Sequence, residues 1–166
     1  MKKKKLIILS IITISLLILL YLLYYFNLLP HKKYTNEFFC IKTYVSLIDK
    51  DNDGVDDQTD ILMNARNYIK THPKYKSKYY RSGYPDDSYG VCTDVVAFAF
   101  LDAGYDLREL VNEHINAYRN LYDIDVVDKN IDFRRVLNLK IYFDYNAISL
   151  TTDIRKIEEW QGGDIV

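Results

Sequence analysis

Two short stretches of the chain carry residue types that can do chemistry. The first is a thiol: Cys92 stands where the apolar run 93–103 begins, and Gly104 follows that run in the C′ position. The run therefore reads as a buried helix with Cys92 at its start. A thiol becomes a useful nucleophile when its thiolate is stabilised, and a helix N-terminus supplies unpaired N–H groups and a positive dipole end. The preceding loop, GYPDDSYG at 83–90, offers flexible backbone that could approach a substrate, while Val95, Val96, Phe98 and Phe100 hold the helix in the core. Two other readings of Cys92 stand beside this one. Free cysteine is among the most buried residue types, and a disulfide with Cys40, the other of the two cysteines, would be allowed in an oxidising compartment.

The second stretch is acidic. From Asp49 to Asp60 the sequence DKDNDGVDDQTD places side-chain oxygens at loop positions 1, 3, 5, 9 and 12 (Asp49, Asp51, Asp53, Asp57 and Asp60), the Val55 carbonyl at 7, and Gly54 at 6. This is the spacing of an EF-hand-type calcium loop, in which hard oxygen ligands converge on one ion because the glycine lets the backbone turn sharply. Asp60 replaces the usual glutamate, which shortens the last ligand by a methylene. The expectation is a structural Ca²⁺ clip of low affinity. A solvated acidic turn joining two helices is the alternative, since Asp, Asn and Gly favour turns for local hydrogen-bonding reasons.

The elements that must position these residues follow from periodicity and caps. Phe38, Ile41, Val45 and Ile48 recur at helical spacing and predict a short helix leading into the acidic loop. Ile61, Leu62, Ala65, Tyr68 and Ile69 mark one face of a second helix, closed by His72 and Pro73. Residues 75–90 read as loop with one extended stretch. After the helix at 93–103, Asp106 caps another through about Tyr118, residues 138–145 form a further helix, and 160–166 read as an opening strand. His31, His72 and His114 read as surface histidines. There is no internal repeat and no low-complexity tract.

The N-terminus is of a different kind. Lys2, Lys3, Lys4 and Lys5 precede an uncharged apolar run, 6–29, which as a helix is about 36 Å long and enough to span a bilayer. Lysines stay on the cytoplasmic side, so the expected topology is single-pass, with the C-terminal part extracytoplasmic and Tyr21, Tyr24 and Tyr25 near the outer interface. A cleaved signal peptide is the alternative, but the run exceeds the usual apolar core of roughly 7–15 residues and no small-x-small site follows it. Glu37, Phe38 and Phe39 ahead of Cys40 are not the small residues that lipid attachment would need. The 166 residues carry a net charge of −1, so no broad cationic field draws in nucleic acid, and the 16 tyrosines have no functional weight beside abundant Ile, Lys and Asn.

Three segments carry a family resemblance: GVCTDVV at 90–96, DAGYDLRELV at 102–111 and NIDFRRVLNL at 130–139. Over about 61–166 the chain resembles the domain of unknown function numbered twelve eighty-seven, which is similar to NlpC-type cell-wall cysteine peptidases. The resemblance implies an α+β, NlpC-like papain-type fold, with the nucleophile at a helix start packed on a small antiparallel sheet. It makes Cys92 the nucleophile, and Tyr80, in Tyr80-Arg-Ser-Gly83, the tyrosine that assists the oxyanion site. Asp94 reads as a cap of its own helix or an anchor of the loop. Asp132, Arg134 and Arg135 match an NID-x-RR motif, read as a structural Asp–Arg pair, with substrate-carboxylate binding as the alternative. The family pattern has His at the position of Phe133 and Pro at that of Leu137. It also implies a base histidine in a strand soon after Gly163-Asp-Ile-Val166, so the domain reads as incomplete and inactive as it stands.

The expected organisation is a cytoplasmic basic tail (1–5), a transmembrane anchor (6–29), a linker (30–40), a segment with the calcium loop (41–60) and a partial cysteine-hydrolase domain (61–166). The expected partners are the membrane and cell-wall peptide. The rival expectation is a calcium-stabilised, membrane-anchored binding module without catalysis.

Overall fold

The structure is a computed structural model that describes residues 2–26, 28–29 and 34–166. His31 and part of the expected linker lie outside the described residues. The chain divides into two compact units, Met1–Cys40 and Ile41–Val166.

In the first unit, helix α1 runs over Lys2–Tyr25, and its stretch Lys3–Tyr25 is long and apolar enough to cross a membrane. Its apolar side chains are exposed from end to end. Ser10 and Thr13 turn their hydroxyls back onto the carbonyls four residues earlier, at 3.0 Å in each case, so the helix shows no free hydroxyl at those positions. A single 3₁₀ turn, Glu37–Phe39, follows, and Cys40 closes it in the left-handed region at φ 56°.

The helix expected across 38–48 does not form. Side chains take N–H groups such a helix would need: Gln161 Oε1 accepts from Tyr44 N at 3.3 Å, Asp56 Oδ1 from Ser46 N at 2.8 Å and Ser46 Oγ from Ile48 N at 3.1 Å. Helix α2 (Asp57–Lys70) begins where Asp56 caps the Thr59 N–H. Ile61, Leu62, Ala65 and Tyr68 are half-buried, whereas Ile69 is exposed. Two strands, β1 (Lys74–Tyr75) and β2 (Tyr89–Gly90), then pair, with Lys74 opposite Tyr89 and Tyr75 opposite Gly90. The pairing is parallel, which corrects the antiparallel sheet that the resemblance implied; a 13-residue connection from Lys76 to Ser88 gives the chain room to return in the same direction.

Helix α3 (Cys92–Asp102) runs through the centre of the unit, and its residues Ala97 and Ala99 are 0% and 1% exposed. Helix α4 (Leu107–Ala117) starts at the Asp106 cap and buries Leu107, Val111, His114 and Ile115, the i, i+4, i+7, i+8 stripe of an amphipathic helix. The short α5 (Lys129–Asp132) and α6 (Val136–Asn146) close the core around Phe133 and Leu139. Fold class is thus mostly helical with a small two-stranded sheet.

Two further expectations are corrected. Residues 160–166 form no strand: Gln161 Nε2 donates to the Lys42 carbonyl at 3.1 Å, and Gln58 Nε2 donates to the Gly162 carbonyl at 3.0 Å, so the segment clasps the start of the unit instead of pairing as a ladder. His114 is not on the surface. Its Nδ1 lies 2.6 Å from the Tyr122 hydroxyl, and the rings of Tyr118, Tyr142 and Tyr145 stand 4.7, 5.7 and 5.1 Å from its own. His72 is exposed, at φ 53°, just past the end of α2.

Candidate functional site

Cys92 is the first residue of α3 and its side chain is exposed; it is a free cysteine, as is Cys40. The next two residues, Thr93 and Asp94, are buried. The Asp94 carboxylate turns back to accept from Val91 N at 2.7 Å, which caps the helix from within its first turn. The same carboxylate anchors a second segment. Arg134 Nε and Nη2 donate to its two oxygens at 2.6 and 2.9 Å, in a two-pronged ion pair whose side chains are 2% and 0% exposed. Both readings of Asp94, cap and anchor, are therefore realised by one side chain.

The arginine continues outward. Its Nη1 donates to the Lys78 carbonyl at 2.7 Å, its guanidinium carbon lies 5.1 Å from the Tyr80 ring, and its own carbonyl accepts from Thr93 Oγ1 at 2.9 Å. The pair expected within the NID-x-RR motif is thereby rearranged: Arg134 reaches Asp94, and Asp132 is left with Arg135 at 3.7 Å while its Oδ2 accepts from Asp128 N at 2.7 Å. Burial raises the Asp132 pKa, and its Oδ1 has no hydrogen-bond donor. Phe133, between them, is a core residue 1% exposed and packed on Tyr84.

Tyr80 is buried under this knot. Its hydroxyl donates to Asp87 Oδ1 at 2.8 Å, and Asp87 also pairs with Lys78, whose hydrogen bond holds the Asp87 carboxyl down to about 2. The hydroxyl is thus engaged with Asp87. Another tyrosine has the unengaged hydroxyl: Tyr68 Oη, from α2, is buried with no partner. Burial first, and the Asp94 charge second, raise its pKa. It lies so close to Gly90, two residues before the thiol, that a Cβ there would meet it at 2.5 Å and one of the two would have to shift. The residue had been visible only as part of an apolar face, since nothing local distinguishes a buried phenol hydroxyl from an exposed one.

Residues 62–166 match the model of a family described as a domain of unknown function, DUF1287. The chain belongs to that family. Among curated proteins, it is 34% identical over 98 residues to the Escherichia coli (strain K12) protein named "Uncharacterized protein YijF", over 57% of this chain and 47% of that one. The chain thus spans about half the length of that curated relative. No solved structure matches it. The DUF1287 match begins inside α2 and takes in Tyr68, Cys92, Asp94 and Arg134, whereas the acidic loop precedes it.

In that loop the carboxylates of Asp49, Asp51 and Asp53 offer oxygens within 4.8 Å of one another. Asp49 accepts from Gly54 N at 2.9 Å, Asp53 accepts from Val55 N at 2.8 Å, and Gly54 has φ 93°. Asp60 faces the same group: burial and then the charges of Asp53, Asp51, Asp49 and Asp57 raise its pKa. Asp57 does not join it freely. Its Oδ1 takes Lys50 N and its Oδ2 takes the Tyr105 hydroxyl, whose pKa is pushed up to about 12 by burial and by that bond. Of the five carboxylates expected to converge on an ion, three come together, one stands nearby and one is engaged with the α3–α4 turn.

Proposed function

We propose that this chain is a membrane-anchored, extracytoplasmic cysteine-hydrolase-like protein, of NlpC type, acting on cell-wall peptide. The observation that carries the reading is the setting of Cys92: an exposed thiol at the first position of a central helix whose next two residues are buried. Such a place offers the sulfur a positive dipole end and unpaired N–H groups while leaving it open to a substrate. Attack of the thiolate on a peptide carbonyl forms a thioester and expels the amine, which takes a proton; water then releases the acid and restores the thiol. A general base is required for both halves. His114 is enclosed by tyrosines and His72 lies on the surface, and the NlpC resemblance assigns the base to neither but to a histidine on a strand. The four lysines at the start of α1 support a topology with the C-terminal part outside.

A second reading is favoured by the acidic loop: a calcium-stabilised, anchored binding module in which Cys92 does no chemistry. Hydrolysis of cell-wall peptides by the full-length protein separates the two. The hydrolase reading expects turnover only in a form that carries the base histidine, lost there in Cys92→Ala and kept in Cys40→Ala. Equal turnover in wild type and Cys92→Ala removes Cys92 from the chemistry.

A further inference from the structure

One arginine is linked to the chain on both sides of the thiol, directly to the Thr93 and Asp94 side chains and through Asp94 to Val91. The Arg134 carbonyl accepts from Thr93 Oγ1 at 2.9 Å, and its guanidinium grips both oxygens of Asp94 at 2.6 and 2.9 Å. Asp94 in turn holds Val91 N at 2.7 Å, and the remaining Arg134 nitrogen holds the Lys78 carbonyl at 2.7 Å. Residues 78, 93 and 94 are thus tied to Arg134 directly and residue 91 through Asp94, while Cys92, between them, is left exposed. Buried ion pairs are often replaceable by apolar residues without loss of stability, so stability alone does not account for this one. A guanidinium fork does what a point charge cannot: it meets two carboxylate oxygens and a third acceptor in fixed directions.

We infer that Asp94 and Arg134 are positioning residues for Cys92, fixing the first turn of α3 that carries the sulfur. The inference rests on Cys92 being the reactive thiol. It assigns the pair to geometry and not to contact with substrate: both side chains lie beneath the helix start, buried.

The test is alkylation of the full chain in detergent micelles by iodoacetamide, with Cys40 as the internal reference and circular dichroism to establish that each variant is folded. Wild-type Cys92 is expected to react faster than Cys40. Arg134→Lys keeps the charge and loses the fork, and should lose the whole rate advantage. Thr93→Val removes one tether, folds if the first variant does not, and should lose part of the advantage, which Thr93→Ser restores. An unchanged Cys92-to-Cys40 ratio in folded Arg134→Lys and Thr93→Val, with only the melting temperature lowered, overturns the inference and leaves the thiol reading standing. A wild-type Cys92 no faster than Cys40 overturns the thiol reading itself, and the positioning role falls with it.

Discussion

Gly90 and Tyr68 show how one missing side chain shapes the approach to the thiol. The Tyr68 hydroxyl is buried without a partner, a state that costs about 1–3 kcal/mol, so Tyr68→Phe should stabilise the protein by up to that amount in urea denaturation. Gly90→Ala should do the reverse, by about 1–3 kcal/mol, because the new methyl meets that hydroxyl at 2.5 Å. The two changes share one contact and should not add: Tyr68→Phe should relieve most of the Gly90→Ala cost, and strict additivity would show that the strain lies elsewhere. Asp94 sets a larger energy. Asp94→Ala leaves the buried Arg134 charge unpaired, which should cost about 3–5 kcal/mol in the same measurement; a loss below about 1 kcal/mol would mean that water reaches the guanidinium.

Among elements, α4 and α6 meet around His114, whose pKa burial depresses below the ordinary 6.5. Below that pH the unfolded chain takes up a proton that the folded ring resists, so the unfolded state binds more protons and stability falls with falling pH. Urea midpoints should therefore drop between pH 7.5 and 5.5, and less so in His114→Gln. Asp60 and Asp132, whose pKa values are raised, act in the opposite sense at lower pH, so the comparison of wild type with variant isolates the histidine. Equal drops in the two proteins would place the titrating group elsewhere. The loop before α2 makes a separate prediction. If its carboxylates hold Ca²⁺, a hundred-fold excess over the dissociation constant stabilises the fold by about 2.7 kcal/mol, and the rise in melting temperature should vanish in Asp49→Ala, Asp51→Ala. A melting curve indifferent to Ca²⁺ reduces the loop to an acidic turn.

At the scale of the whole molecule, α1 exposes apolar side chains along most of its length, whereas the second unit keeps a core in which Ala97, Leu107, Val111 and Ile115 are 0% exposed. A helix of that length and composition can cross a bilayer, and if it is kept as an anchor the protein should sediment with membranes and resist alkaline extraction. Recovery as a soluble form shortened by about 30 residues would identify α1 as a cleaved signal.

The sequence by itself determined α1, α2, α3, α4 and α6, together with the Asp106 cap and the placing of Cys92 at a helix start, because apolar period and capping chemistry are written within a few residues of one another. The same local logic failed at 38–48, where the apolar spacing was right but the side chains of Ser46, Asp56 and distant Gln161 took N–H groups of the segment. Only the tertiary structure decided that Arg134 reaches Asp94, 40 residues away, that Tyr80 is engaged with Asp87 while Tyr68 is left without a partner, and that His114 is enclosed. Each of those outcomes turns on which distant side chain fills the next few ångströms, and a buried polar group takes its partner from that space and not from its neighbours in the chain.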